Sequence, residues 1–367
     1  MASPETMKAM GFHAFGGPEV LEVVEIPRPV PGAGEVVVAV RAVSVGRTLD
    51  IAARAGRLPF AKLVPPHVLG ADHAGVIADV GPGVEGHAVG DRVAVFPVVP
   101  CDECAPCRAG AEEACVRLEF LGIHRQGAYA EYSLVPAKQL HRLADDVSFV
   151  DGAALALLAP LAYNQLAAAG PLDEGTWLMV QSGGSAAGTM VIALARHRGL
   201  RVIATSRSEG KREGLRALGV EAALDWREPG FRDEVLGLTG GAGVTAVIDN
   251  TGAKDLFATT LGVLSPRGRV VISGAFVGER PELDLQSLYT SNQSILGVRT
   301  ANRAGVAGAW QEVDGGLRPV IDATFPLFEG AVEAHPRVES DQGLGRVVLT
   351  VGEPEHDRAG SALKENK

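Results

Sequence analysis

The sequence predicts an α/β protein of two parts: a β-rich twisted barrel or sandwich followed by a doubly wound parallel sheet. Two observations predict it. Before about residue 150, short apolar runs are punctuated by Gly and Pro; after it, strand and helix alternate. A third observation, a Gly-rich turn after the first strand of the alternating part, suggests what that part binds.

In the β-rich part, Val36-Val37-Val38-Ala39-Val40 follows Pro31-Gly32-Ala33-Gly34 and reads as a strand. Residues 75–81 and 90–95 read the same way. In the second part the predicted strands are 176–180, 201–205, 244–249 and 269–273. The apolar positions Ala187, Met190, Val191, Leu194 and Ala195 have helical spacing, and a short helix is predicted from Lys211 to Leu218. The chain ends in a strand, 346–351, and a polar stretch from Glu353 to Lys367 that predicts a loose tail. The boundaries expected are 1–150, 151–295 and 296–352, with 353–367 as the tail.

Composition narrows the function. Lys plus Arg number 34 and Asp plus Glu 44, a formal net charge of −10 with no basic block. Nucleic acid and anionic membranes are therefore poor partners, and a small-molecule substrate is expected. The longest apolar stretch, Ala153 to Tyr163, is 11 residues and contains Pro160, too short to span a bilayer. Met1-Ala2-Ser3-Pro4-Glu5 opens no secretory signal, so a cytoplasmic protein is expected.

The four cysteines, Cys101, Cys104, Cys107 and Cys115, are spaced C-x2-C-x2-C-x7-C. Four soft ligands this close suit one closed tetrahedral zinc, with an iron–sulfur cluster or chance clustering as alternatives. Such a zinc would staple residues 98–118 and do no chemistry.

The turn Ser182-Gly183-Gly184-Ser185-Ala186-Ala187-Gly188 resembles the G-x-G-x-x-G dinucleotide fingerprint, with Ser185 in place of the middle Gly. A helix N-terminus follows and offers N–H groups to phosphate. An acidic residue at the end of the second strand would hold the ribose 2′-hydroxyl of NAD. Here Thr205-Ser206-Arg207-Ser208 stand there, with Lys211 nearby, a set that suits the 2′-phosphate of NADP(H). A solvated loop with incidental charges is the alternative.

At this point the chain resembles the medium-chain dehydrogenase/reductase superfamily over nearly its whole length. Phe15-Gly16-Gly17-Pro18-Glu19-Val20-Leu21 resembles the opening of the quinone oxidoreductase branch. Gly90-Asp91-Arg92-Val93, the four cysteines, the run from Gly122 to Tyr132, and Gly345-Arg346-Val347-Val348-Leu349 resemble further family segments. The fold implied is a GroES-like β-barrel domain plus a Rossmann domain, with a C-terminal return to the barrel and the active site between them. The resemblance also implies a homodimer through sheet edges around residues 269–300.

The departures bear on the chemistry. Where zinc alcohol dehydrogenases of this family place their catalytic ligands, this chain has Gly46, Ala71 and Leu157, none able to ligate a metal. The nicotinamide-facing Thr of the family corresponds to Leu161. The zinc-free members mostly reduce activated C=C bonds, so an NADPH-dependent reductase of enones, enoyl compounds or quinones is expected. A recruited biosynthetic enzyme (carbonyl or imine reduction, or a non-redox cyclisation) and a non-enzymatic scaffold are the alternatives. The resemblance implies Arg47 near the pyrophosphate and Thr48 near the substrate oxygen, with Asp72 and His73 facing the cleft. His73 is either a proton source near neutrality or a satisfied core histidine; Tyr163 is either a donor or a packing residue. Asn250, Gly274, Ala275 and Phe276 lie at carboxyl ends of strands, where ligands bind. Arg346 either reaches a cofactor phosphate or pairs at the surface.

Overall fold

The computed structural model describes residues 5–58, 60–275 and 280–352. The barrel part contains β1 (Thr6–Phe12), β2 (Glu35–Val45), β3 (His73–Val80), β4 (Arg92–Val95), β5 (Tyr132–Pro136) and β6 (Leu140–Arg142). The long strand β2 is central: it pairs antiparallel with β3 on one side, and with β5 along its first half. Its valines are buried on both faces, Val36 and Val38 in one apolar cluster, Val40 and Val43 in another. That double burial is why the run reads as continuous Val rather than as an alternation.

The chain then enters α1 (Phe149–Ala168), capped at its start by the Ser148 hydroxyl, which accepts from the Asp151 N–H. Helix α1 is apolar nearly all round, and a helix of that kind must be buried. It packs against β2 and β3 on one side and against two later helices on the other.

The second part is built from β7 (Trp177–Val180), α2 (Ala186–His197), β8 (Arg201–Thr205), α3 (Glu209–Ala217), β9 (Ala222–Leu224), β10 (Val244–Asp249), β11 (Leu264–Ile272) and β12 (Ser294–Gly297). These six strands form one parallel sheet in the order β9-β8-β7-β10-β11-β12. The order reverses between β7 and β10, and their carboxyl ends open the crevice where doubly wound sheets bind ligands. Strand β12 carries the sheet past the expected boundary at residue 295.

The chain returns through α4 (Arg303–Asp314), β13 (Ile321–Pro326), α5 (Leu327–Glu339) and β14 (Arg346–Thr350). Strand β14 pairs antiparallel with β2 and parallel with β13, so the last segment completes the barrel sheet. The expected tail, 353–367, lies outside the described residues. Among the described residues no helix is long and apolar enough to cross a membrane.

Candidate functional site

The fingerprint turn has the shape that a dinucleotide needs. A Cβ on Gly188 would stand 2.5 Å from the Ser182 carbonyl oxygen, so only Gly lets α2 sit this close to the strand end. Ser185 is the N-cap of α2, and its hydroxyl accepts from the Gly188 N–H at 3.0 Å. The substitution of Ser for the middle Gly thus has a structural use. The N–H groups of Ala186 and Ala187 remain in the first turn, where no intrahelical acceptor exists. The stem of Lys211 lies across Gly184: a Cβ there would meet its Cδ at 2.8 Å. These residues fit a bound pyrophosphate.

Lys211 is not a free cation, which corrects the expectation from its position. It is 8% exposed, and its ammonium donates to Asp341 at 2.7 Å. Arg47, 52% exposed at its side chain, donates to the Val338 carbonyl and lies 3.9 Å from the same carboxylate.

At the end of β8, the Thr205 hydroxyl accepts from the Ser182 N–H, tying this strand end to the glycine turn. Arg212 and Arg227 nearby are neutralised by Asp225, and Arg212 also by Glu209. Arg207 is exposed and has no side-chain partner among the described residues. Ser206 and Arg207 therefore remain available for an anion. At the end of β10, Asp249 Oδ1 accepts from the Thr251 and Gly252 N–H groups and shapes the turn, while Asn250 accepts from Gln165 at 2.6 Å. The Asn250 Nδ2 is buried without a partner. Gly274 and Ala275 follow β11; Phe276 lies outside the described residues.

On the barrel side, Arg47–Ile51 forms a π-helical turn. Thr48 is half-buried in this turn, with no side-chain partner among the described residues. Asp50 was missed from sequence. It is buried, and its carboxylate accepts from the N–H of Gly46 at 2.7 Å and of Gly70 at 2.9 Å. Burial pushes its pKa up to about 6, against the pull of those two N–H groups and of the Arg346 charge. Its spacing from Thr48 was the available signal.

Asp72 and Arg346 form a buried ion pair. Arg346 is 7% exposed, and burial lowers its pKa to about 10. Both expectations for Arg346 are corrected: it pairs, but inside, with Asp72 rather than with a phosphate or at the surface. The pair fastens β14 to the loop before β3. His73 is fully buried, its Nδ1 bonded to the Ala71 carbonyl at 2.9 Å, and burial lowers its pKa to about 4. The ring is enclosed in the core as in the core-histidine alternative, but only half satisfied: its Nε2 is buried with no partner. The hydroxyl end of the Tyr163 ring packs against Gly308 of α4, and the Arg198 guanidinium lies 4.7 Å from the ring centroid. These contacts place it between helices, as in the packing alternative. Leu157 packs on the apolar cluster that contains Leu49 and Ala71, and Leu161 on the cluster of the second part.

The four cysteine sulfurs all lie within 4.8 Å of one another. A zinc with Zn–S bonds of about 2.3 Å requires S···S separations of roughly 3.8 Å. The Cys115 sulfur accepts from the N–H groups of Cys101 and Arg117, and the Glu103 N–H draws the Cys101 thiol down to about 5. This set can hold one closed tetrahedral ion, remote in role from the cleft. At Gly46, Ala71 and Leu157, by contrast, no ligand atom exists, and a catalytic zinc does not fit.

Comparison with known proteins agrees with this architecture. Residues 32–145 match the model of the alcohol dehydrogenase GroES-like domain, and residues 186–315 that of the zinc-binding dehydrogenases. The NAD-dependent alcohol dehydrogenase of Sulfolobus acidocaldarius is 30% identical over 94% of this chain and 100% of its own length. That of Sulfurisphaera tokodaii is 31% identical over 94% of this chain and 99% of its own length. A crystal structure of an NAD-dependent alcohol dehydrogenase superposes with a TM-score of 0.86 at 37% identity, covering 94% of this chain and 100% of that one. The crystal structure of AibC superposes with a TM-score of 0.87 at 30% identity, covering 95% and 96%. With both domain models matched in order and relatives aligned end to end, the chain belongs to the medium-chain dehydrogenase/reductase superfamily.

Proposed function

We propose that this oxidoreductase is NADPH-dependent, works without a catalytic zinc, and reduces the activated C=C bond of an enone, enoyl compound or quinone. One observation carries the reading: the three positions that would hold a catalytic metal are Gly46, Ala71 and Leu157, which have no ligand atoms. Alcohol oxidation by Lewis-acid polarisation then has no support in the donor set. The cofactor preference rests on Ser206 and the unpaired Arg207, where an acid would suit NAD.

When bound, the nicotinamide supplies the hydride. The chain's own task is to meet the negative charge that builds on the substrate carbonyl oxygen. Thr48 is the donor in this reading, since its hydroxyl has no protein partner among the described residues. Arg47 and the first-turn N–H groups of α2 hold phosphate. The buried Asp72–Arg346 pair and the neutral His73 keep the wall of the cleft rigid and take no part in proton transfer.

The four-cysteine lobe is proposed to bind one structural zinc. The protein is further proposed to be a cytoplasmic homodimer joined through β12, the outer strand of the parallel sheet among the described residues.

The test is a panel of enones, quinones and alcohols assayed with NADPH, NADH and the oxidised cofactors, with and without a chelator. Chelator-resistant NADPH consumption with enones or quinones is expected. Alcohol oxidation with NAD that a chelator abolishes would overturn the reading.

A further inference from the structure

Three distant parts of the chain meet at one carboxylate oxygen. Asp341 Oδ1 lies 2.7 Å from Lys211 Nζ and 3.9 Å from the Arg47 guanidinium. Arg47 opens the π-turn after β2, Lys211 lies in the first turn of α3, and Asp341 lies in the loop between α5 and β14. The Lys211 stem is fixed against Gly184, so its ammonium stands at the glycine turn rather than in bulk solvent. Arg47 is also held by the Val338 carbonyl in the last turn of α5, just before that loop. Asp341 has φ +54°, a left-handed conformation that Asp and Asn tolerate better than other side chains. Two cations beside a dinucleotide turn are thus neutralised by the chain's own anion.

We propose that Asp341 is the resident anion of the cofactor-phosphate site, an internal competitor that the dinucleotide displaces. The inference rests on the dinucleotide reading of the glycine turn. The Lys211 ammonium has three N–H donors, but a carboxylate and a phosphate gathered on it repel each other, so each weakens the hold of the other. The tethered carboxylate competes at a high effective concentration, because its loop holds it beside the cations. It therefore weakens cofactor binding and speeds release. Its loop joins α5 to β14, so displacement frees a segment of the barrel part whenever the cofactor occupies the second part.

The test is NADPH titration by nicotinamide fluorescence, with stopped-flow dissociation, on the full-length chain. Asp341→Asn keeps size and backbone tolerance and removes the charge. NADPH is expected to bind about threefold to tenfold more tightly, with slower release. Lys211→Met is expected to weaken NADPH binding, and Asp341→Asn is expected to have little effect in that background. Unchanged or weaker binding by Asp341→Asn, with Lys211→Met still weakening it, would overturn the role of Asp341 and leave the cofactor reading standing. If Lys211→Met leaves binding unchanged, the phosphate site and the inference fall together.

Discussion

Acid should destabilise the barrel through His73, by an amount that the structure sets. The ring is fully buried, and its Nδ1–H donates to the Ala71 carbonyl, which leaves a bare Nε2 with no partner. Protonation must put a charge on that enclosed nitrogen, which is why the pKa falls from 6.5 to about 4. The unfolded chain takes up this proton below pH 6.5, the folded chain only below about 4. The stabilisation is therefore complete above pH 6.5 and is lost as pH falls towards 4. A roughly 300-fold difference in proton affinity corresponds to about 3 kcal/mol. His73→Asn keeps a donor near the Ala71 carbonyl and removes the titrating ring. The variant is expected to be less stable at pH 7.5, by about 1–3 kcal/mol for the cavity left behind. Between pH 6.5 and 4 it should lose about 3 kcal/mol less than the wild type, so the two curves converge. His141 and His335, also lowered by burial, titrate equally in both proteins and cancel. Urea unfolding across pH 4–7.5 measures this. Parallel stability curves would refute the argument and reopen His73 as a group that is charged near neutrality.

Three further outcomes follow from the same geometry. Arg207→Ala should weaken NADPH binding about tenfold and NADH binding less than twofold, since only the former carries a phosphate for this free guanidinium; equal losses would discard the phosphate site. Cys104→Ser leaves three thiolates for a closed four-ligand site, so metal analysis should show zinc lost or reduced, and proteolysis should reach residues 98–118 faster. Gly188→Ala forces a methyl to within 2.5 Å of the Ser182 carbonyl oxygen. It should cost about 1–3 kcal/mol of stability and weaken binding of both cofactors, measured by thermal unfolding and titration.

What could be read in the sequence was what depends on neighbours in the chain. The central strands announced themselves as Val-rich runs between Gly and Pro. The cysteine lobe did so because its ligands fall within one short loop. Missed were Ala222–Leu224, Ser294–Gly297 and Ile321–Pro326, short or half-exposed strands with no clear alternation, which exist because neighbouring strands pair with them. The site was less legible for the same reason. Asp72 meets Arg346 across 274 residues and Lys211 meets Asp341 across 130, so the charge state of each was invisible until the fold brought the partners together. Tyr163 was ambiguous because its role depends on Gly308, which has no side chain to announce the contact.

Asp50 joins two turns of the barrel part. Gly46 and Ala71 stand at two of the positions where the ligands are missing, and a metal would have tied their two turns together. Here one carboxylate does so, accepting from the Gly46 N–H with Oδ2 and from the Gly70 N–H with Oδ1. The residue at 46 and this bond belong together: a Cβ on Gly46 would stand 3.1 Å from Asp50 Oδ2 and press it away from the N–H it accepts. Returning a cysteine to position 46 would thus disturb the carboxylate before it rebuilt a site. Two N–H donors are met best by an ionised acceptor, and above a pKa of about 6 Asp50 is ionised. Thr48 lies in the same π-turn, between the residue that donates to this carboxylate and Asp50 itself. Protonating Asp50 weakens the bonds that hold this turn, so a reductase that uses Thr48 as its donor is expected to lose activity as pH falls through about 6, although Thr48 itself does not titrate.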